Sequence, residues 1–212
     1  MKRLTAFICA AAMTIGMTMT AAAAPSIGSL IPEAPTVVSG NIPTGYTLTV
    51  QDADTSSYTN ATVATVVDQF NDDTVTMSVA DALTALGVDT TAEIRTQNGV
   101  VVDITAYEAL TPFVDLAITD GTNVEFTLDG EVTATLVVEV ARDLTAEDLL
   151  LMQVDPETGD VYFVEVDEYD PATGSITATF PCLGPFTVLT GTAADAAQTE
   201  AAETTAATEA AM

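Results

Sequence analysis

The chain contains no histidine and no tryptophan, and only four of its 212 residues are Lys or Arg. Lys2 and Arg3 stand at the N-terminus, which leaves Arg95 and Arg142 as the other cations beside 31 acidic residues. Without His, the chain lacks the usual general base near neutral pH and the imidazole metal ligand. Without a lysine beyond Lys2, it lacks a Schiff-base nucleophile and the lysine of a phosphate-binding loop. Any chemistry is therefore confined to Asp, Glu and a bound metal.

The formal net charge of −27 restricts the partners that the chain can bind. Nucleic-acid binding depends on Lys and Arg that neutralise phosphates, so no nucleic-acid partner is expected. An anionic membrane surface would repel the chain for the same reason. Cations and basic peptides are the electrostatically permitted partners, and a protein or glycan ligand stays open.

The N-terminus predicts a secretory signal peptide over residues 1–24. Met1–Arg3 is a charged segment, Leu4–Met19 is an apolar run, and Ala21–Ala24 offers small residues for cleavage. Cys9 lies inside the apolar run, which argues against a lipid anchor at that residue. No later stretch approaches the roughly 20 apolar residues of a spanning helix, so no membrane span is expected. We predict an exported bacterial protein that is extracellular or at the cell surface.

Only Cys182 remains after removal of the leader, and it has no partner in the chain. Stability must then come from packing and not from disulfides. We interpret Cys182 as a small buried hydrophobe, because neither His nor a nearby cation lowers its pKa, with an intermolecular disulfide as the alternative.

The composition divides the remaining chain into four segments. Residues 25–59 are rich in Pro and predict an extended lead-in, with a possible edge strand at Tyr46–Val50. Residues 60–112 predict a small α+β unit, and residues 113–191 an antiparallel β-sandwich. Residues 192–212 are almost entirely Ala, Thr and Glu and predict a disordered tail.

The 60–112 segment shows helical periodicity with an embedded hairpin. Asn60 caps a predicted helix that continues to Phe70, and Ser78 with Asp81 has the spacing of a capping box. Asn98-Gly99 lies between two β-prone runs and predicts a type I′ turn. Thr105 has the spacing of a cap for a further short helix that ends before Pro112.

From residue 113 onward the apolar residues recur with a period of two, which is typical of half-buried strands. Turns rich in Asp, Pro and Gly separate the runs. A short helical crossover is expected at 142–148. The predicted strands are Phe113–Thr119, Val124–Leu128, Glu131–Val140, Leu149–Val154, Val161–Val166, Ser175–Phe180 and Phe186–Thr190. The fold class is α+β, with a small helix and hairpin unit followed by an antiparallel Ig-like β-sandwich.

Three motifs in this half carry a resemblance to a known module. They are DPETGDVYF from Asp155, GSITATF from Gly174 and GPFTV from Gly184. Together they resemble the C-terminal Ig-like sandwich module of uncharacterised exported proteins of Gram-positive anaerobes. The resemblance covers about 113–190 and implies a fold. It implies no catalytic residue.

Two acidic clusters are weak calcium candidates. Asp155, Glu157 and Asp160 occupy one predicted hairpin, and Asp167, Glu168 and Asp170 follow the next strand. Calcium takes six to eight oxygen ligands, and extracellular sites bind it weakly. The alternative is that these residues serve as turn formers, because Asp bonds to its own backbone and Gly accepts a positive φ.

An EF-hand loop at Gln51 is not expected, because Ser57 stands at the glycine position and Val63 at the final Glu position. We expect Arg95 and Arg142 to form structural ion pairs, partly buried. The leading functional hypothesis is a non-enzymatic structural, adhesive or binding protein without a cofactor or catalytic residues. The alternatives are a calcium-dependent extracellular module and a hydrolase that uses only carboxylates.

Overall fold

A computed structural model of the chain describes residues 27–191. The predicted signal peptide, residues 1–24, and the predicted tail, residues 192–212, lie outside the described residues. Within residues 27–191 no helix is both long and apolar enough to cross a membrane.

The described residues form short helices and mostly antiparallel strands. The α-helices are α1 Ile27–Leu30, α2 Ala61–Phe70 and α3 Val79–Ala85. The strands are β1 Thr36–Ser39, β2 Thr47–Asp52, β3 Ile94–Arg95, β4 Val101–Val102, β5 Tyr107–Ala109, β6 Val114–Thr119, β7 Val124–Glu125, β8 Val132–Val137, β9 Leu149–Val154, β10 Val161–Asp170, β11 Ser175–Phe180 and β12 Gly184–Gly191. Short 3₁₀ helices cover Thr55–Ser57, Ile104–Ala106, Glu139–Ala141 and Ala146–Asp148.

The strands build a curled sheet in the order β1-β8-β11-β10-β9-β12-β6-β2, and the hairpin β3-β4 is separate. We call β1, β8, β11 and the end of β10 the outer sheet, and the start of β10 with β9, β12, β6 and β2 the middle sheet. β10 belongs to both because its register shifts between Val166 and Glu168, where an irregularity bends the strand. The predicted α+β class with a sandwich-like β region is confirmed, and the Ig-like assignment stays a prediction.

The main core lies between the two sheets. β8 and β11 alternate between buried and half-buried residues, so each presents one face to the core. Val132, Leu136 and Ile176 of the outer sheet pack with Leu151 and Phe186 of the middle sheet. In contrast, every residue of β9 is buried, which requires a cover on the second face of the middle sheet.

Helices α2 and α3 provide that cover, which we call the helical layer. Asn60 caps α2 by accepting from the N–H groups of Thr62 and Val63, and Ser78 forms the predicted capping box with Asp81. Val63 and Leu83 then pack on Leu150, Met152 and Phe163 of the middle sheet in a second core. The helical layer therefore shares the second core with the middle sheet. This core contains residues from both sides of the predicted boundary at 112/113.

Two local predictions in the 60–112 segment are wrong. The turn at Asn98-Gly99 is not type I′, because Asp143 is the only non-glycine residue within 27–191 with a positive φ. Gly99 alone takes the left-handed conformation, with φ 84°, and its N–H donates to the Thr96 carbonyl at 2.9 Å. No α-helix begins at Thr105, since β5 there pairs with β12 and the preceding 3₁₀ turn is capped by Asp103.

The possible edge strand at Tyr46–Val50 corresponds to β2, which pairs with β6.

Candidate functional site

The first acidic cluster forms a hairpin turn. The Asp155 carboxylate accepts from the N–H groups of Glu157 at 2.7 Å and Thr158 at 3.0 Å. The Asp160 carboxylate accepts from the Thr158 hydroxyl at 2.9 Å. These carboxylate oxygens bond to the turn between β9 and β10, which is the geometry of an Asx turn.

The second acidic cluster is spread along the end of β10. Asp167 accepts from the hydroxyl of Thr179 at 2.9 Å, Glu168 lies opposite Thr177 in the outer sheet, and Asp170 accepts from the Ala172 N–H at 3.0 Å. Over the described part of the chain, no three or more Asp, Glu, Cys or His side chains are grouped so that they could hold a metal ion. The carboxylates of Asp155, Asp160, Asp167 and Asp170 therefore act in turn and cross-strand hydrogen bonds.

The two arginines form the predicted ion pairs. Arg95 pairs with Glu93 and also donates to the Gly99 carbonyl at 2.6 Å, and Arg142 pairs with Glu139 at 2.9 Å. Both pairs lie at the surface, where the arginine side chains are 52% and 46% exposed. Exposed pairs of this kind stabilise the fold by about 0–1 kcal/mol each.

Cys182 is half-buried in the turn between β11 and β12. Burial, together with the nearby charges of Asp155 and Asp160, raises the pKa of its thiol to about 12. A thiol with so high a pKa is protonated at neutral pH and is a poor nucleophile. Its carbonyl accepts from Gln153 Nε2 at 2.8 Å, and Gln153 Oε1 has no hydrogen-bond partner among residues 27–191.

A buried carboxylate on β6 was not among the residues singled out from the sequence. Asp115 is fully buried and faces the helical layer, because its neighbours Val114 and Leu116 face the main core. Its carboxylate accepts from the Tyr58 hydroxyl and from the Asp54 N–H, the latter at 2.9 Å. Burial raises the pKa of Asp115 to about 6, although both hydrogen bonds oppose this shift.

Asp115 and Tyr58 connect the middle sheet to the loop that leads into α2. Burial and the adjacent carboxylate of Asp115 also raise the pKa of Tyr58 above its ordinary value. Asp115 lines neither of the two cavities described below, so a substrate would not reach it there. The pair therefore has the geometry of a structural connection between layers.

The larger cavity is an open groove of about 600 Å³ beside the helical layer, which we call the hairpin groove. One wall is the β3-β4 hairpin, and the others come from the segment around Tyr107, the 3₁₀ turn at Ala146–Asp148 and β10. Its lining is Thr96, Asn98, Val100, Val101, Val102, Asp103, Ala106, Tyr107, Ala146, Glu147, Leu149, Glu165, Val166 and Asp167.

The hairpin groove combines an apolar surface with negative charge. Its carboxylates are Asp103, Glu147, Glu165 and Asp167, and no Lys or Arg of the described chain lines it. Asn98 donates to Glu165 and so ties the hairpin tip to β10. Burial and the nearby charge of Asp148 raise the pKa of Tyr107, which keeps its hydroxyl neutral.

A second cavity of about 530 Å³ lies between the 124–128 segment and the turn that follows β9. It is lined in part by Glu125, Asp155 and Glu157. Two of its acceptors are already used, because Tyr46 donates to Glu125 at 2.8 Å and the turn N–H groups donate to Asp155. Groove carboxylates such as Glu165 and Asp103 also accept hydrogen bonds, so occupied acceptors do not separate the two cavities. The hairpin groove is the better candidate binding site because it is larger and more apolar.

The groove residues come from segments far apart in the sequence, and only the fold brings Asn98, Glu147 and Glu165 together. Comparison with protein-family models, with curated proteins and with solved structures finds no match. The resemblance to exported proteins of Gram-positive anaerobes stays a prediction.

Proposed function

We propose that the protein is an exported, non-enzymatic binding protein whose hairpin groove takes a ligand that is both cationic and partly apolar. The observation that supports this most directly is the lining of the groove, in which four carboxylates surround valine, leucine and tyrosine side chains without a basic residue among those described. A ligand with ammonium or guanidinium groups on aliphatic stems matches such a surface, because the stems cover apolar area while the charges meet carboxylates.

The overall charge supports the same class of ligand. A net charge of −27 attracts cations over a long range and raises their rate of encounter at low ionic strength. Specificity then depends on the groove, where Val100 and Val101 are 51% and 39% exposed and offer apolar contact. Arg95 lies on the same hairpin, but Glu93 and the Gly99 carbonyl already bind its guanidinium group.

The non-enzymatic part of the proposal rests on the side chains that are present. The chain has no His, the thiol of Cys182 has a raised pKa, and the carboxylate of Asp115 is buried and already accepts two hydrogen bonds. Neither the Cys182 thiol nor the Asp115 carboxylate has the geometry of a nucleophile beside a general base.

Replacing Glu147 and Glu165 together by Gln is expected to weaken binding of a cationic peptide about tenfold. Each partly exposed ion pair contributes up to about 1 kcal/mol, and about 1.4 kcal/mol corresponds to a factor of ten in Kd. The probe is the synthetic peptide acetyl-Lys-Val-Lys-Val-Lys-Val-amide, and Kd is measured by calorimetry at low and physiological salt.

The matched control is Asp129→Asn combined with Glu131→Gln, which removes the same charge from exposed positions outside the groove. It is expected to change Kd less than twofold. Equal losses in the two double variants would show that the peptide binds to the net charge and not to the groove. Absence of measurable binding to the wild-type protein would contradict the proposed function.

A further inference from the structure

We infer that the ligand of the hairpin groove is an extended basic peptide segment that adds as a strand to the free edge of β4. This inference rests on the proposed function and specifies its partner. It follows from the main chain of the hairpin, since the consecutive residues Val100 to Asp103 all line the groove.

The register of the hairpin determines which groups are free. Ile94 lies opposite Val102, Arg95 lies opposite Val101, and the Thr96 N–H donates to the Val100 carbonyl at 2.9 Å. Hydrogen-bonded and non-hydrogen-bonded pairs alternate along an antiparallel ladder. Because Thr96 and Val100 form a hydrogen-bonded pair, the adjacent Arg95–Val101 pair is a non-hydrogen-bonded pair. The N–H and C=O of Val101 consequently point away from β3, and neither bonds to any residue within 27–191.

A free strand edge of this kind binds an added strand through main-chain hydrogen bonds. The hairpin is held in place before the ligand arrives. The Gln97 N–H donates to the Phe163 carbonyl at 3.1 Å, Asn98 bonds to Glu165, and Ile94 is buried in the second core. Little ordering of the binding edge is then required, which favours affinity.

The charge of the groove selects the sequence of the added strand. Every second side chain of a strand, about 6.8 Å apart, points to the same side. Lys or Arg at those positions would face the side that carries Glu147, Glu165 and Asp167, with the aliphatic stems against Val102 and Leu149. An acidic peptide would be repelled there. The partner class is therefore a basic peptide, and a flexible polyamine would lack the main-chain groups.

The test compares main-chain and side-chain recognition with the same Lys-Val hexapeptide. Val101→Pro removes the free N–H, at an edge position where proline is tolerated, whereas Val101→Ala shortens the side chain and keeps the N–H. Val101→Ala loses only the apolar contact of the side chain, so we expect Val101→Pro to bind at least about fivefold more weakly than Val101→Ala. Far-UV circular dichroism and Tm check that both variants are folded.

A second arm changes the ligand and leaves the protein intact, so it remains decisive if Val101→Pro does not fold. Two peptides with N-methyl groups at alternate residues, one for each edge of the strand, are compared with the unmodified peptide. One of the two is expected to bind at least about fivefold more weakly than the other, because only one edge faces β4. Spermine is expected to bind more weakly than the hexapeptide.

The outcomes separate this inference from the proposed function. Binding that depends on Glu147 and Glu165, but is indifferent to both methylation patterns, would overturn strand addition and leave a side-chain site for cations. Binding of spermine as tight as that of the peptide would overturn it as well. No binding of any of these probes would contradict the proposed function itself.

Discussion

The free energy of unfolding of the wild-type protein is expected to fall by about 3 kcal/mol, relative to that of Asp115→Asn, as the pH rises from about 3 to about 7. The cause is the buried carboxylate, because burial raises its pKa from 3.8 to about 6. A change of that size in one pKa corresponds to about 3 kcal/mol between the two protonation states.

The direction of the effect follows from proton binding. Between the unfolded pKa of 3.8 and the folded pKa of about 6, the folded protein holds a proton on Asp115 that the unfolded chain has released. The stabilisation is therefore complete below the unfolded pKa and is lost as the pH rises through the folded pKa. Asp54 and Asp81 have lowered pKa values and shift stability in the opposite direction, but they do so in both proteins, so the difference isolates Asp115.

Urea unfolding at several pH values measures this difference. Asp129→Asn serves as the control, since it removes an exposed carboxylate and is expected to leave the pH dependence close to that of the wild type. If Asp115→Asn followed the wild-type curve at a constant offset, Asp115 would have an ordinary pKa in the folded protein.

Tyr58→Phe tests the hydroxyl group that donates a hydrogen bond to the Asp115 carboxylate. The variant keeps the ring, which contacts Phe126 edge-on with centroids 5.8 Å apart, and removes only the hydroxyl. It is expected to lower the free energy of unfolding by about 2 kcal/mol at pH 8, where Asp115 is ionised, because hydrogen bonds to charged groups are the stronger ones. The loss is expected to be smaller at pH 3, and an equal loss at both pH values would contradict a role for the carboxylate charge.

Phe186→Ala is expected to lower the free energy of unfolding by about 4 kcal/mol. Phe186 is fully buried in β12 of the middle sheet and contacts Phe180 of the outer sheet edge-on, with centroids 5.6 Å apart. The alanine variant leaves a cavity between the two sheets, which relax only partly. Phe186→Leu keeps more volume and is expected to cost about 1.5 kcal/mol.

Urea unfolding, followed by tyrosine fluorescence and by far-UV circular dichroism, measures the loss. Val124→Ala is the control, since Val124 is 40% exposed and its truncation is expected to change stability by at most about 0.5 kcal/mol. Because the helical layer shares the middle sheet with the main core, we expect both signals to change at the same urea concentration. Two separate transitions would show that the helical layer unfolds by itself.

Local chemistry made much of the fold predictable. The caps at Asn60 and Ser78 are single-residue signals and form as expected. Strands Leu149–Val154 and Ser175–Phe180 match their predicted bounds. A turn with Asp, Pro and Gly ends the first strand, and a similar turn precedes the second. In contrast, β10 continues to Asp170, four residues beyond the prediction, because a register shift lets it cross from one sheet to the other. Periodicity alone does not reveal such a shift.

The candidate site was far less predictable. The acidic clusters at Asp155 and Asp167 attract attention in the sequence because their members are close along the chain, yet they bond to turns and neighbouring strands. The hairpin groove joins Asp103, Glu147 and Glu165, whose separation in sequence hides their proximity. Its free edge at Val101 depends on hairpin register, which follows from the turn geometry that the Asn98-Gly99 motif predicted incorrectly.

The sequence by itself determined the chemical character of this protein. The absence of His, the scarcity of cations and the excess of Asp and Glu follow from composition, and they restrict both its chemistry and its partners. Tertiary structure alone decided the environment of each carboxylate. In the sequence, Asp115 stands between the apolar residues Val114 and Leu116, which is typical of a solvent-facing position in a strand. In the structure, the helical layer covers this face of the middle sheet and excludes water from Asp115. A carboxylate is thus exposed to solvent at Glu147 and buried at Asp115, because solvation depends on which layers pack together.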